Sequence, residues 1–236
     1  MKIRYILMIA VCLLLSACAQ GGRDNIHGNA EVDWVDFLML NGRSYTGLSE
    51  TVIADPETVT DKKAGRTTFK VADVVTNPGY KTQNGDAAFL PIGTELYQVK
   101  GFKKDELIAA RDSERIGGFR LYAEIEFAKT VQRHYTEIPR ESITQIELYK
   151  GQETKPYKTL QGLEKSQLLQ LLDGGRDVEN YMPQSRDQDP AQYRVVFYTG
   201  DSLAYSYPLF DDGVQAYFSP DSIRLLDPAI RTLLQP

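Results

Sequence analysis

The sequence predicts an α+β protein, with a β-rich first part followed by a smaller α+β part in which one amphipathic helix lies on an antiparallel sheet. Three observations carry that expectation. In the first half Leu121, Ala123, Ile125 and Phe127 alternate with Tyr122, Glu124 and Glu126, the period of a half-buried strand. Asn77-Pro78-Gly79 and Asn84-Gly85 are turn sequences that reverse a chain between strands. In the second half Leu160, Leu163, Leu168, Leu171 and Leu172 follow a 3.6-residue period that stops at Gly174-Gly175.

The chain opens with an apolar run from Tyr5 to Leu15, behind Lys2 and Arg4 and ahead of Ser16, Ala17 and Cys18. A positive start, an apolar middle and small residues at the end are the three parts of an export signal. Crossing about 30 Å of hydrocarbon takes roughly 20 apolar residues, and Gln20 to Asp24 cut this run short. Leu15-Ser16-Ala17-Cys18 resembles the lipobox of bacterial lipoproteins at all four positions. The resemblance implies that residues 1–17 are a lipoprotein signal peptide, and that Cys18 becomes the amino terminus with diacylglycerol on its sulfur. Two acyl chains anchor durably, each buried CH₂ contributing about 0.8 kcal/mol, whereas one chain binds only marginally. The expected location is therefore the extracytoplasmic face of a cell membrane, with the membrane itself a partner through Cys18. Residues 18–30, small and polar with Gly21, Gly22 and Gly28, read as a flexible tether. The only other cysteine, Cys12, lies in the signal, so the exported domain has to be held by its core without a disulfide.

Residues 31–132 form the expected β-rich domain, with strand candidates at Val32–Leu40, Arg66–Val75, Thr94–Lys100 and Phe119–Ala128 and no useful helical period. Asp55–Arg66 reads as a polar loop. The pattern breaks near Val131–Arg140, where His134, Glu137 and Pro139 interrupt it. Residues 140–236 form the α+β domain: a strand within Ser142–Lys150, a turn at Gly151, a short strand near Tyr157, then the leucine helix. Strands Tyr193–Thr199, Ser202–Tyr207 and Val214–Ser219 supply the sheet beneath it, and Arg176–Gln192 reads as a loop. Asp227-Pro228 announces a closing helix over Ala229–Leu234.

The stretch Asn77–Phe102, with WVDFLMLNGRSY upstream and RLYAEIEF downstream, resembles uncharacterised surface lipoproteins of Gram-positive spore-forming bacteria. That resemblance implies an outward-facing domain on the plasma membrane and transfers no catalytic residue.

Composition narrows the function classes. The formal charge is −5 and becomes −7 once Lys2 and Arg4 leave with the signal, which argues against nucleic acid, since phosphate backbones need clustered Lys and Arg. Nucleophilic catalysis needs a histidine, and there are two: His27 in the tether, and His134 after a strand, read as exposed or hydrogen-bonded. Hydrolase and nucleotide-binding motifs are missing. Acids crowd the second half at Asp187, Asp189, Asp201, Asp211, Asp212 and Asp221. They allow an alternative, an envelope hydrolase using paired carboxylates, although Asp211-Asp212-Gly213 reads first as a hairpin turn and no calcium loop is present. Asn41-Gly42-Arg43 before Ser44, Tyr45 and Thr46 is a hairpin and not a phosphate cradle. Tyr80, Phe89 and Tyr97 are read as sheet packing, with a presented recognition surface as the other reading. The expectation is a non-enzymatic binding, sensing or interaction protein at the cell envelope, without metal or cofactor, whose envelope partner or ligand the sequence does not name.

Overall fold

The computed structural model describes residues 33–77, 79–184 and 188–236. The signal, the tether, Cys18 and His27 lie outside these residues, as does Asp187. Among the described residues sixteen strands form two sheets, joined by three α-helices, so the protein is α+β with strands dominant. Among the described residues no helix is long and apolar enough to cross a membrane.

The first sheet contains β1 (Phe37–Leu40), β2 (Arg43–Leu48), β4 (Val59–Arg66), β5 (Phe69–Lys70), β6 (Asp86–Ala87), β7 (Glu95–Val99), β8 (Leu107–Arg111) and β9 (Phe119–Glu124). Its order is β4-β7-β8-β9-β2-β1-β6-β5. The outermost strands, β4 and β5, are consecutive in the chain and separated only by Thr67 and Thr68. Three Cα steps reach at most about 11 Å, so the sheet must curl until its ends meet. Both faces are therefore covered. Leu38, Leu96, Ile108 and Tyr122 fill one side, while Leu107, Ala109, Leu121 and Ala123 pack on the other.

The second sheet contains β3 (Thr51–Ile53), β10 (Gln145–Lys150), β11 (Lys158–Leu160), β12 (Arg176–Val178), β13 (Ala191–Tyr198), β14 (Leu203–Asp211), β15 (Ala216–Phe218) and β16 (Ile223–Leu225). The order β11-β10-β13-β14-β15-β16-β12 is antiparallel throughout. Strand β14 divides its second edge: Leu209–Asp211 pair with β15, and Leu203–Tyr205 pair with β3. Strand β3 comes from the first half of the chain, so the halves are joined by backbone hydrogen bonds as well as by side chains.

Helix α1 spans Ile125–Val131, α2 Gly162–Asp173 and α3 Ile230–Leu234. Leu168, Leu169 and Leu172 of α2 and Ile230, Leu233 and Leu234 of α3 cover an aromatic core of Tyr135, Phe197, Tyr207 and Phe218. The segment Gln132–Ser142 is pinned to the end of α2, because the buried Tyr135 hydroxyl donates to Asp173 Oδ1 at 2.8 Å and Arg140 stacks 4.1 Å over the Tyr135 ring.

Several expectations need correction. The alternation through Phe127 predicts a strand, yet helix α1 begins at Ile125, because the Glu124 carboxylate accepts from the Glu126 and Phe127 N–H groups and caps a first turn. A helix thus precedes Arg140. Asp55–Arg66 is no loop: after a short 3₁₀ turn it becomes β4, whose charged Asp61, Lys62 and Lys63 belong on the solvent side of an outermost strand. Of Arg66–Val75 only Arg66, the end of β4, and Phe69–Lys70 lie in strands. In the leucine helix, Leu163 is 82% exposed, while Leu160 precedes the helix in β11. Arg176–Gln192 holds β12 and the start of β13.

Candidate functional site: an arginine-lined cleft between the sheets

Among the described residues, the acids that crowd the second half do not gather in one place. Asp201 and Asp211 stand at opposite ends of β14, a nine-residue strand, and thus roughly 30 Å apart at 3.4 Å per residue. Asp211 receives both nitrogens of a fork from Arg231 at 2.8 Å, which holds its carboxyl below the usual range. Asp212 accepts four hydrogen bonds, from the Tyr181 hydroxyl and the N–H groups of Gln184, Val214 and Gln215. Partial burial pushes its carboxyl up, and these donors more than reverse that, leaving it well below the ordinary carboxylate range. Gly213, at φ +88°, completes the hairpin that the sequence suggests. Asp201 accepts from Thr199 Oγ1, Asp221 pairs with His134 Nδ1, and Asp189 is exposed. Among the described residues no three His, Cys, Asp or Glu side chains gather as a metal site.

The other sequence candidates are mostly structural. Tyr45 is 1% exposed inside the curled sheet, and Asn41 and Gly42, both at positive φ, turn the β1–β2 hairpin. The Tyr80 hydroxyl donates to Asp86 and that of Tyr97 to Glu95. Phe89 differs: it is 39% exposed and borders a cleft.

That cleft lies where the two sheets meet. Its larger lobe, about 700 Å³, is walled by the β8–β9 hairpin loop (Asp112–Arg115) and the β10–β11 loop (Gln152–Lys155). A smaller lobe of about 380 Å³ runs toward Asp36, Ser49 and Phe89. Arg115, Arg120 and Arg194 line both. The β8–β9 loop is seated by Gly117, at φ +78°, where a Cβ would come within 2.4 Å of the Ile53 carbonyl oxygen. A glycine therefore lets this loop reach β3. Ile116 joins Val52, Tyr149, Val196 and Ala204 in a small apolar cluster beneath the cleft.

Strand alternation aims the arginines. On β13, Val195 and Phe197 enter the core beneath α2, so Arg194 shares the opposite face with Val196. On β9, Leu121 and Ala123 take one face, and Arg120 shares the other with Tyr122.

Their environments differ. Arg120, its side chain 20% exposed, lies 3.6 Å from Asp36 and 3.3 Å from Asp112, and its Nε is buried with no hydrogen-bond partner. Arg115 stands 3.7 Å from the same Asp112. Asp36 accepts from the Tyr122 hydroxyl at 3.0 Å, yet burial raises its pKa. Half-buried Arg194 donates from Nε to Ser206 Oγ at 3.0 Å and from Nη2 to the Ser49 carbonyl at 3.3 Å. No carboxylate forms an ion pair with it among the described residues. Burial lowers the Arg194 pKa and repulsion from Arg115 lowers it further, with attraction from Glu50 working against both. Of five guanidinium N–H groups, three remain for the cleft.

The chain matches no family model, no curated protein and no solved structure.

Sequence reading passed over Arg115, Arg120, Arg194 and Asp36. A signal existed: Arg120 in FRLYAE and Arg194 in YRVVFY each interrupt an otherwise apolar strand, a place where an arginine needs a reason.

Proposed function

We propose that this chain is an exported lipoprotein, anchored through Cys18 at the extracytoplasmic face of a cell membrane, and that it works there by binding and not by catalysis. The ligand site in this reading is the cleft between the sheets. One observation carries it: Arg194 sits half-buried near another cation, lines a cavity of ligand size, and has three N–H groups with no partner among the described residues. Removing a cation from water without a counter-charge is costly, and a recurring ligand supplies the reason to keep one there. The lipobox supports the address. The described acids lie apart, and Asp211 and Asp212 are already held by several donors, which lends the hydrolase alternative no support.

Two experiments test this reading. Cys18→Ser is expected to release the protein from membranes and leave the signal uncut; continued lipid labelling of that variant contradicts the anchor. A photoreactive side chain placed at exposed Ser113, on the cleft wall, is expected to capture a ligand in intact cells, while one at exposed Lys104, which does not line the cleft, captures none. Equal labelling at the two positions overturns the cleft as the site.

A further inference from the structure

Building on the cleft as the binding site, we infer that its ligand is anchored by a phosphate group, held by Arg115, Arg120 and Arg194. Charge is the first argument. The floor holds these three guanidinium groups against two carboxylates, Asp36 and Asp112, both of which already face Arg120. Lys155, Glu114 and Glu153 are all exposed at the rim. The floor therefore holds one more cation than carboxylate, and Arg194 has no ion-pair partner among the described residues, Glu50 attracting it only from beyond ion-pair distance.

Direction is the second argument. A planar carboxylate is satisfied by one guanidinium in a two-pronged fork, as Asp211 is by Arg231. The cleft instead brings cations from three separate elements: β9, the β8–β9 loop and β13. Donors converging from several sides suit a tetrahedral anion whose oxygens point several ways. The third argument is preparation: Ser206, fully buried, takes the Arg194 Nε hydrogen bond and restrains the plane of a guanidinium that lines the cavity.

At the membrane surface such a group can come from a lipid headgroup or from a free phosphate ester. The recognised chemistry is the same, and the test separates the sources. The full chain in micelles of a neutral detergent is titrated calorimetrically with inorganic phosphate, glycerol phosphate and, as a planar control, acetate. Saturable binding of both phosphates at about 1 mM or tighter, with none for acetate, is expected. The paired substitution Arg194→Met with Ser206→Ala, which leaves no buried hydroxyl without its donor, is expected to weaken binding about tenfold or more. Arg176→Ala, at an exposed position outside the cleft, should titrate like the parent. Doping the micelles with phosphatidylglycerol weakens the glycerol phosphate titration if headgroups fill the cleft and leaves it unchanged if a free ester does. Absence of saturable phosphate binding, or a paired variant that binds as the parent does, overturns the inference. If Ser113 still captures a ligand in cells under that outcome, the cleft survives as a site and only the phosphate assignment falls.

Discussion

Charge is concentrated in two regions of this molecule, and they are built in opposite ways. At the Asp211–Gly213 turn two carboxylates are surrounded by donors: a fork from Arg231, a tyrosine hydroxyl and four backbone N–H groups. In the cleft between the sheets, Arg194 has a serine and a carbonyl but no ion pair among the described residues, Glu50 acting on it only at longer range, and Arg120 keeps a buried Nε without a partner. The first region uses its charge to hold a hairpin and the neighbouring segment together. The second leaves charge unspent, at an energetic cost. A crowd of acids in a sequence is thus a poor marker of function, and unfilled hydrogen-bonding capacity in a cavity is a better one.

The largest effect is expected at the glycine that seats the cleft wall. Gly117→Ala adds a Cβ where only 2.4 Å separates it from the Ile53 carbonyl oxygen, at a backbone angle that favours glycine. A loss of about 3 kcal/mol is expected in denaturant unfolding, together with weaker binding. Asp212→Ala comes next. It strips four donors of their acceptor and should lower stability by about 2 kcal/mol while leaving phosphate titration unchanged. Loss of binding in that variant would erase the distinction between the regions.

A smaller effect is expected from pH. The Asp221 carboxylate beside His134 raises the histidine's pKa through their hydrogen bond and charge attraction. Because the folded value is the higher one, the pair stabilises fully below the unfolded value near 6.5 and loses its contribution as pH rises through the folded value. Melting curves of the parent and His134→Ala should therefore differ at pH 5 and converge above neutrality. A difference that grows with pH contradicts the pairing.

Much of the architecture was legible from local pattern. Strand β7 falls inside Thr94–Lys100, β10 inside Ser142–Lys150, and α2 stops at Gly174 as the leucine spacing requires. The misreadings share a cause. At Glu124 a single side chain caps a helix and outweighs a period-two pattern that continues past it. In Asp55–Arg66 an outermost strand carries the polar residues of a loop, because among the described residues β7 is the one strand that pairs with it. The exchange of β3 into the second sheet has no local signature, since Thr51–Ile53 reads the same whichever sheet it joins. The cleft was hidden for that reason. Arg115, Arg120 and Arg194 meet only because β3 and the Gly117 loop tie the sheets together.

The central claim is that Arg194 is kept for a ligand and not for the fold. It is tested most directly by melting the parent and the Arg194→Met, Ser206→Ala pair in buffer free of phosphate. Replacing a half-buried cation without an ion pair, together with the buried Ser206 hydroxyl that accepts from it, by apolar groups is expected to leave the melting temperature unchanged or raise it, by about 1 kcal/mol of added stability. A melting temperature several degrees below the parent's would show that the arginine holds the structure together and would contradict the account.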